Sequence, residues 1–265
     1  MTRVPAFDGY ALDLDGTVYL GDDLLPGAGE AIAALRDAGA RIVFVTNKPL
    51  ETAADYAAKL TRLGVPAEPQ DVVTAVDALV RYLHVHHARR AVLLIAEEPV
   101  TARLRDEGFP IAGPEDADVV VVSFDRTFDY AKLHAAYRAV RERGAAIVAT
   151  NPDPYCPTPD GGLPDCAAML AALEACTGAR AEAIVGKPSE HMAAAFLDRL
   201  GVDPSRAAVV GDRLETDVAM GRHIGAAGIL VLSGATSAED LDAAEILPDH
   251  VVAGIHELAP GGPLR

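Results

Sequence analysis

The sequence predicts an α/β fold built on a parallel sheet. Short apolar runs alternate with longer helix-patterned stretches from end to end of the 265 residues, which is the signature of successive βαβ units. Half of the residues are hydrophobic, only 5% are aromatic and Trp is absent, so the interior has to be built from Ala, Val, Leu and Ile. A chain of this length accommodates one large domain or two modest ones.

In chain order, strands are predicted at residues 10–14, 41–46, 91–95, 119–123, 146–150, 207–211 and 227–232. Residues 26–38 open on a Pro-Gly turn and repeat apolar residues at Ile32, Leu35 and Ala38, one face of a helix. Residues 50–63 do the same through Tyr56, Leu60 and Leu63. Both helices run out onto glycine, a common way for helices to end. Residues 151–164 are rich in Pro, Gly and Asp and form the longest irregular stretch. A loop that long is usually functional or disordered, and this one is expected over the active site.

Composition narrows the function. With 23 Lys and Arg against 39 Asp and Glu, the formal charge is −16, which repels nucleic-acid backbone and anionic lipid. No nucleic acid and no membrane partner is expected. Residues 1–15 lack the basic and apolar regions of a secretory signal, no run approaches the roughly 20 apolar residues of a membrane span, and the expected location is cytoplasmic. Cys156, Cys166 and Cys176 are odd in number and spaced ten apart, fitting neither a disulfide framework nor a zinc site. They are expected as free thiols.

Four segments put chemistry-bearing residues at predicted strand ends, the edge of a parallel sheet where ligands bind. Asp13 and Asp15 stand where the strand at 10–14 runs out, two positions apart, which on an alternating strand puts both carboxylates on one side. A solvated turn is the plain structural alternative. A calcium-binding EF-hand loop is rejected, because Val18 and Leu24 occupy the positions that need Gly and Glu. Thr46, Asn47 and Lys48 follow the second strand, where a hydroxyl and helix-terminal N–H groups can cradle an anion or merely cap a helix. Lys187 lies between a short strand and a helix introduced by Pro188. Asp212 and Asp217 follow the apolar strand at 207–211, completing a set of hard oxygen donors suited to magnesium and a phosphate.

Two other patterns carry less. Gly27 and Gly29 begin a dinucleotide fingerprint, but Ile32 stands where its third glycine belongs. His84, His86 and His87 close a helix pattern beside Arg89 and Arg90 with no carboxylate or Cys near in sequence; they are expected to be solvated.

The segments DLDGTVYLG, FVTNK, VGKPS and GDRLETD, in this order and spacing, resemble the haloacid dehalogenase superfamily of phosphohydrolases, in its NagD-like branch with 4-nitrophenylphosphatases and sugar phosphatases. The resemblance spans nearly the whole chain. It implies a Rossmann-like parallel sheet core flanked by helices, residues 1–78 and 183–265, with an inserted smaller α/β cap at residues 79–182. It also implies a magnesium-dependent phosphatase acting on a small phosphorylated metabolite: a sugar phosphate, glycerol phosphate, phosphoglycolate or nucleotide monophosphate.

Carried over by motif, Asp13 resembles the nucleophile and Asp15 the general acid and base. Thr46, the Asn47 backbone N–H and Lys187 then bind phosphate. Asp13, the Asp15 main-chain carbonyl and Asp212 hold Mg2+, with Asp217 orienting a metal-bound water. Asn151 and Asp153, with the later residues 157–159, look like the family's substrate loop, although Asp165 stands where relatives often have Gly. Pairing of two copies through the cap is the assembly implied. Transfer of the phosphoryl group to another acceptor and a non-catalytic phosphometabolite sensor are the competing readings; a dehalogenase is disfavoured because that branch lacks the second aspartate.

Overall fold

The computed structural model describes residues 4–158 and 161–259. From the start of the chain, β1 (Gly9–Leu12) leads through a small hairpin, β2 (Tyr19–Leu20) and β3 (Asp23–Leu24), into α1 (Ala28–Asp37), β4 (Arg41–Thr46), α2 (Ala53–Arg62) and β5 (Val72–Thr74). Then come α3 (Ala75–His86), β6 (Val92–Ile95), α4 (Glu98–Asp106), β7 (Val119–Val122), α5 (Tyr130–Arg143) and β8 (Ala146–Ala149). A hairpin of β9 (Tyr155–Thr158) and β10 (Gly161–Pro164) precedes α6 (Cys166–Thr177) and β11 (Ala183–Ile184). The chain finishes with α7 (Glu190–Leu200), β12 (Ala207–Gly211), α8 (Ala219–Ile224), β13 (Ala227–Val231) and β14 (His250–Val252).

Two compact units result. One comprises the residues up to Thr46, Ala53–Val73 and the residues from Ala193 on; the other comprises Asn47–Thr52 and Thr74–Met192. The larger sheet has the order β14-β13-β12-β1-β4-β5, with β1 paired in parallel to β12 on one side and β4 on the other. Chain order reverses direction at β1, the topological switch point at which open parallel sheets bind ligands. The core beneath this sheet packs Leu12, Phe44, Val210 and Ile229 against Ile32, Leu35, Tyr56 and Leu60 from α1 and α2. The smaller sheet has the order β11-β8-β7-β6, also parallel. Its central strand β7 is four valines, all fully buried, as expected where helices cover both faces. Ala136, Ala139, Met169 and Leu173 of α5 and α6 pack against one of those faces.

The seven predicted strands are all present within a residue or two. Several elements escaped the pattern. β5 and β14 have only three residues each, too short for periodicity to register, whereas the short strand expected before Lys187 is β11. The stretch 151–164, expected to be a loop, instead contains the antiparallel hairpin β9–β10, with Tyr155 opposite Pro164 and Cys156 opposite Leu163. Its prolines and glycines disguise a strand pair, because such residues are tolerated where a two-stranded ribbon has open edges. All three cysteines are free thiols, as expected.

α3 starts with a reciprocal cap. The Thr74 hydroxyl accepts from Asp77 N (3.2 Å), and the Asp77 carboxylate accepts from Thr74 N (2.9 Å), satisfying two end donors that a helix leaves open. Thr74→Ala is expected to cost about 1 kcal/mol, and Thr74→Ser much less. Urea denaturation followed by far-UV circular dichroism reads the difference.

Candidate active site

The end of β1 is shaped by backbone geometry. Asp13 N donates to Val210 O (2.8 Å), prolonging the ladder by one residue. The chain then turns tightly, with Leu14 O accepting from Thr17, Val18 and Tyr19 N and Gly16 at φ 81, a left-handed conformation that glycine adopts without steric cost. The expected alternation of Asp13 and Asp15 on one strand face is therefore corrected: the strand stops at Leu12, and Asp15 lies in the turn, bridged to Tyr19. Asp13 is buried and Asp15 half-buried.

Asp212 directly follows β12, the neighbour of β1. Its Oδ2 accepts from Ala235 N (2.6 Å), and its carbonyl accepts from Thr236 N (3.1 Å). The Ser233 hydroxyl ties the same loop to Gly16 O (2.7 Å). Asp217 sits in a single π turn, Leu214–Val218, where its Oδ2 accepts from Arg213 N (3.3 Å) and the Thr216 hydroxyl (3.4 Å). As a result, one carboxylate oxygen each from Asp13, Asp212 and Asp217 lies within 4.8 Å of the others. Glycines make this approach possible. A Cβ on Gly234 would fall 2.1 Å from Asp212 Oδ2, one on Gly16 2.4 Å from the same atom, and one on Gly211 2.1 Å from Asp217 Cγ.

These residues fit a hard divalent cation. The donors are all oxygens, with no imidazole or thiolate among the three, which favours magnesium over zinc or copper. Three carboxylates gathered this closely also call for a counter-charge. Sequence reasoning reached all three aspartates but missed Ser233, Gly234 and Ala235, whose Ser-Gly pair after an apolar strand was the available signal.

Thr46 ends β4 and is buried. In the other unit, the next residue, Asn47, uses its side chain as a clamp. Asn47 Oδ1 accepts from Lys187 N (2.7 Å), while Nδ2 donates to Lys187 O (3.3 Å) and to Asp153 Oδ2 (3.0 Å). The Asn151 amide donates to Asn47 O (3.2 Å) and accepts from Asp153 N (3.0 Å). Asn47, Asn151, Asp153 and Lys187 are thus drawn together, with Lys187 only 3% exposed. Gly186 allows the close packing, since a Cβ there would meet Thr150 O at 2.5 Å and Asn47 Oδ1 at 2.6 Å. Within the expected substrate loop, Pro159 lies outside the described residues.

Asp165 is the N-cap of α6, accepting from Cys166 N (2.6 Å). It is 4% exposed. Burial, reinforced by the charge of Asp153, pushes its carboxyl up to about 6, against the opposing hydrogen bonds from Cys166 N and the Asn151 side chain and the charge of Lys48. Of the histidines, His84 and His86 are exposed, as expected, while His87 is partly buried. His87 hydrogen-bonds Glu182 (2.5 Å), His84 meets Glu107 (3.3 Å), and His86 stacks on Tyr82 at 4.4 Å. The partly buried His87 departs from the expectation because its partner Glu182 lies far away in sequence. A separate surface cavity of about 590 Å³, lined by Arg36, Arg41, Glu68 and Arg199, adjoins the opposite end of β4 from Thr46. Its arginines bind main-chain carbonyls at Pro66, Leu200 and Val72.

The raised Asp165 carboxyl has a signed consequence for stability. In the unfolded chain it ionises near 3.8, but in the native chain only near 6, so native stability falls as pH rises through that window and stays lowered above it. Asp165→Asn keeps a capping side chain without the buried charge. It is expected to melt higher than the parent at pH 8 by an amount worth roughly 3 kcal/mol and to match it at pH 4. Thermal unfolding at the two pH values decides this.

Residues 10–110 match a family model described as haloacid dehalogenase-like hydrolase, and residues 184–258 match a second, HAD-hydrolase-like model. The sugar-phosphatase AraL of Bacillus subtilis is 36% identical over 94% of this chain and 91% of its own length. An acid sugar phosphatase of Staphylococcus epidermidis is 34% identical over 92% of this chain and 93% of its own. Among solved structures, a 4-nitrophenylphosphatase from Thermotoga maritima superposes with a TM-score of 0.91 at 37% identity, covering 96% of this chain and 97% of that one. A p-nitrophenyl phosphatase from Archaeoglobus fulgidus gives 0.91 at 32% identity, covering 96% and 99%. The chain belongs to the haloacid dehalogenase-like hydrolases, as a phosphatase of their NagD-like branch with a Rossmann-like α/β core.

Proposed function

We propose that the protein hydrolyses a small sugar phosphate in a magnesium-dependent reaction that passes through an aspartyl-phosphate on Asp13. The observation that carries this reading is the convergence of Asp13, Asp212 and Asp217, with carboxylate oxygens within 4.8 Å of one another, at the ends of β1 and β12 beside the switch point of the sheet. The sugar-phosphate class rests on the relatives whose names carry it.

In the first step an Asp13 oxygen attacks phosphorus, the bond from phosphorus to the sugar oxygen breaks, and Asp15 gives that oxygen a proton. In the second step Asp15, now ionised, takes a proton from water. The water oxygen bonds to phosphorus, the acyl-phosphate bond breaks, and Asp13 is restored with inorganic phosphate released. Splitting the displacement this way replaces one difficult step with two easier ones, and a single carboxyl can serve as acid and then as base. Thr46, the Asn47 N–H and Lys187 bind the phosphate oxygens. The Asn47 side chain holds the Lys187 main chain, so these two groups are set by one clamp. Asp13, the Asp15 carbonyl, Asp212 and Asp217 would hold the magnesium ion. When bound, it offsets the negative charge of substrate and carboxylates, which positioning-driven phosphoryl transfer requires.

We take residues 79–182 as the cap and residues 1–78 and 183–265 as the catalytic core, with Asn151 and Asp153 on the substrate side. Water is the acceptor, the cell interior the location, and cap-to-cap pairing the assembly in this reading.

Asp13→Asn is expected to abolish release of phosphate from 4-nitrophenyl phosphate and from a panel of sugar phosphates, by at least about 10³-fold, with the fold retained by circular dichroism. Turnover surviving in that variant removes Asp13 from the nucleophile role. Gly234→Ala is expected to displace the Asp212 carboxylate and weaken magnesium binding in isothermal titration, with circular dichroism checking that the variant stays folded. Unchanged magnesium affinity would separate Asp212 from the metal.

A further inference from the structure

Asp165 has a φ of −109, ordinary extended backbone, so the position makes no conformational demand for a particular residue. What the side chain does add is a buried carboxyl one amide away from the phosphate-binding segment. Asn151 is fully buried, and its amide donates to Asn47 O (3.2 Å), hydrogen-bonds the Asp165 carboxyl, and accepts from Asp153 N (3.0 Å). Asn47 in turn grips both main-chain groups of Lys187. The hairpin end is fastened to the same point, since Asp165 N donates to Pro154 O and Ala167 N to Asp153 O.

We propose that Asp165 is a positioning residue for anion binding: through Asn151 it sets the Asn47–Lys187 segment, and its carboxyl weakens phosphate binding when ionised and permits it when protonated. The inference rests on the reading that Asn47 and Lys187 bind the phosphate.

The physical effect is electrostatic. An ionised Asp165 adds negative charge to the buried cluster that holds Asn47 and Lys187, a poorly solvated setting where Coulomb interactions are strong. The charged groups facing Asp165 are Asp153, which opposes its ionisation, and Lys48, which favours it. Burial and Asp153 prevail, so the carboxyl exchanges its proton within the mildly acidic range. The enzyme therefore binds anions more tightly just below that range than above it.

Sulfate is the probe, because it keeps a constant charge between pH 5 and 8 while a phosphate ester does not. Its affinity is measured by isothermal titration, in the presence of magnesium, for the parent protein, Asp165→Asn and Asp165→Ser. Groups other than Asp165 titrate alike in all three, so differences between the profiles isolate it. The parent is expected to lose about ten-fold in sulfate affinity from pH 5 to pH 7.5, a shift of the size a nearby unit charge produces. Both variants should be flat by comparison and should bind at pH 7.5 as the parent does at pH 5. Profiles for either folded variant that run parallel to the parent overturn the proposal, and Asp165→Ser keeps the test available if Asp165→Asn fails to fold. Lys187→Met separates this from failure of the underlying reading: sulfate binding undiminished in that variant would mean that the anion site lies elsewhere, whatever Asp165 does.

Discussion

The structure depends on holding carboxylates where their mutual repulsion is greatest. Like charges about 5 Å apart repel by roughly 3 kcal/mol at the effective dielectric of a protein near its surface, and Asp13, Asp212 and Asp217 bring three to that separation. No flexible segment would keep them there unaided. β1 and β12 do so because they are adjacent parallel strands in register, with Leu12 opposite Val210, so the residues that follow them emerge side by side. The fully buried runs of both strands anchor that register in the hydrophobic core, where slipping by one residue would turn every side chain to the wrong face.

Close approach needs space as well as alignment. Gly16, Gly211 and Gly234 leave room where any Cβ would collide with an aspartate, and hydrogen bonds from Ala235 N and Arg213 N fix the carboxylate orientations. Main-chain donors and strand packing thus hold the close approach, and a bound cation would favour it further. Such unfavourable placement concentrates at functional sites and is sustained by the surrounding fold.

The second unit solves a different problem with amides. Asn47 and Asn151 are buried polar side chains that would be costly if left unsatisfied, and each is satisfied by main-chain groups far away in sequence. The bonds from residue 47 to 187 and from 151 to 47 bring three separated segments to one place. Asp165 is attached to that same arrangement, which gives a buried and titratable group influence over residues it does not follow in the chain.

The strand ends carrying Asp13, Thr46 and Asp212 were legible in the sequence because an apolar run buried in a parallel sheet reads directly as such, and the residue after it necessarily reaches the ligand edge. The four motifs likewise marked Asn47 and Lys187. The tertiary structure alone decided how these residues meet. It replaced a supposed strand alternation at Asp13 and Asp15 with a turn through Gly16, made a hairpin of a Pro- and Gly-rich stretch expected to be a loop, and brought Ser233 and Ala235 to the Asp212 side of the site. It also gave His87 and Glu182 one another as partners and turned Asp165 from an odd substitution into a buried cap. The physical reason is one of range: periodicity and local chemistry act over a few residues along the chain, whereas hydrogen bonds across more than a hundred residues and the room left by a missing Cβ exist only once the segments have packed.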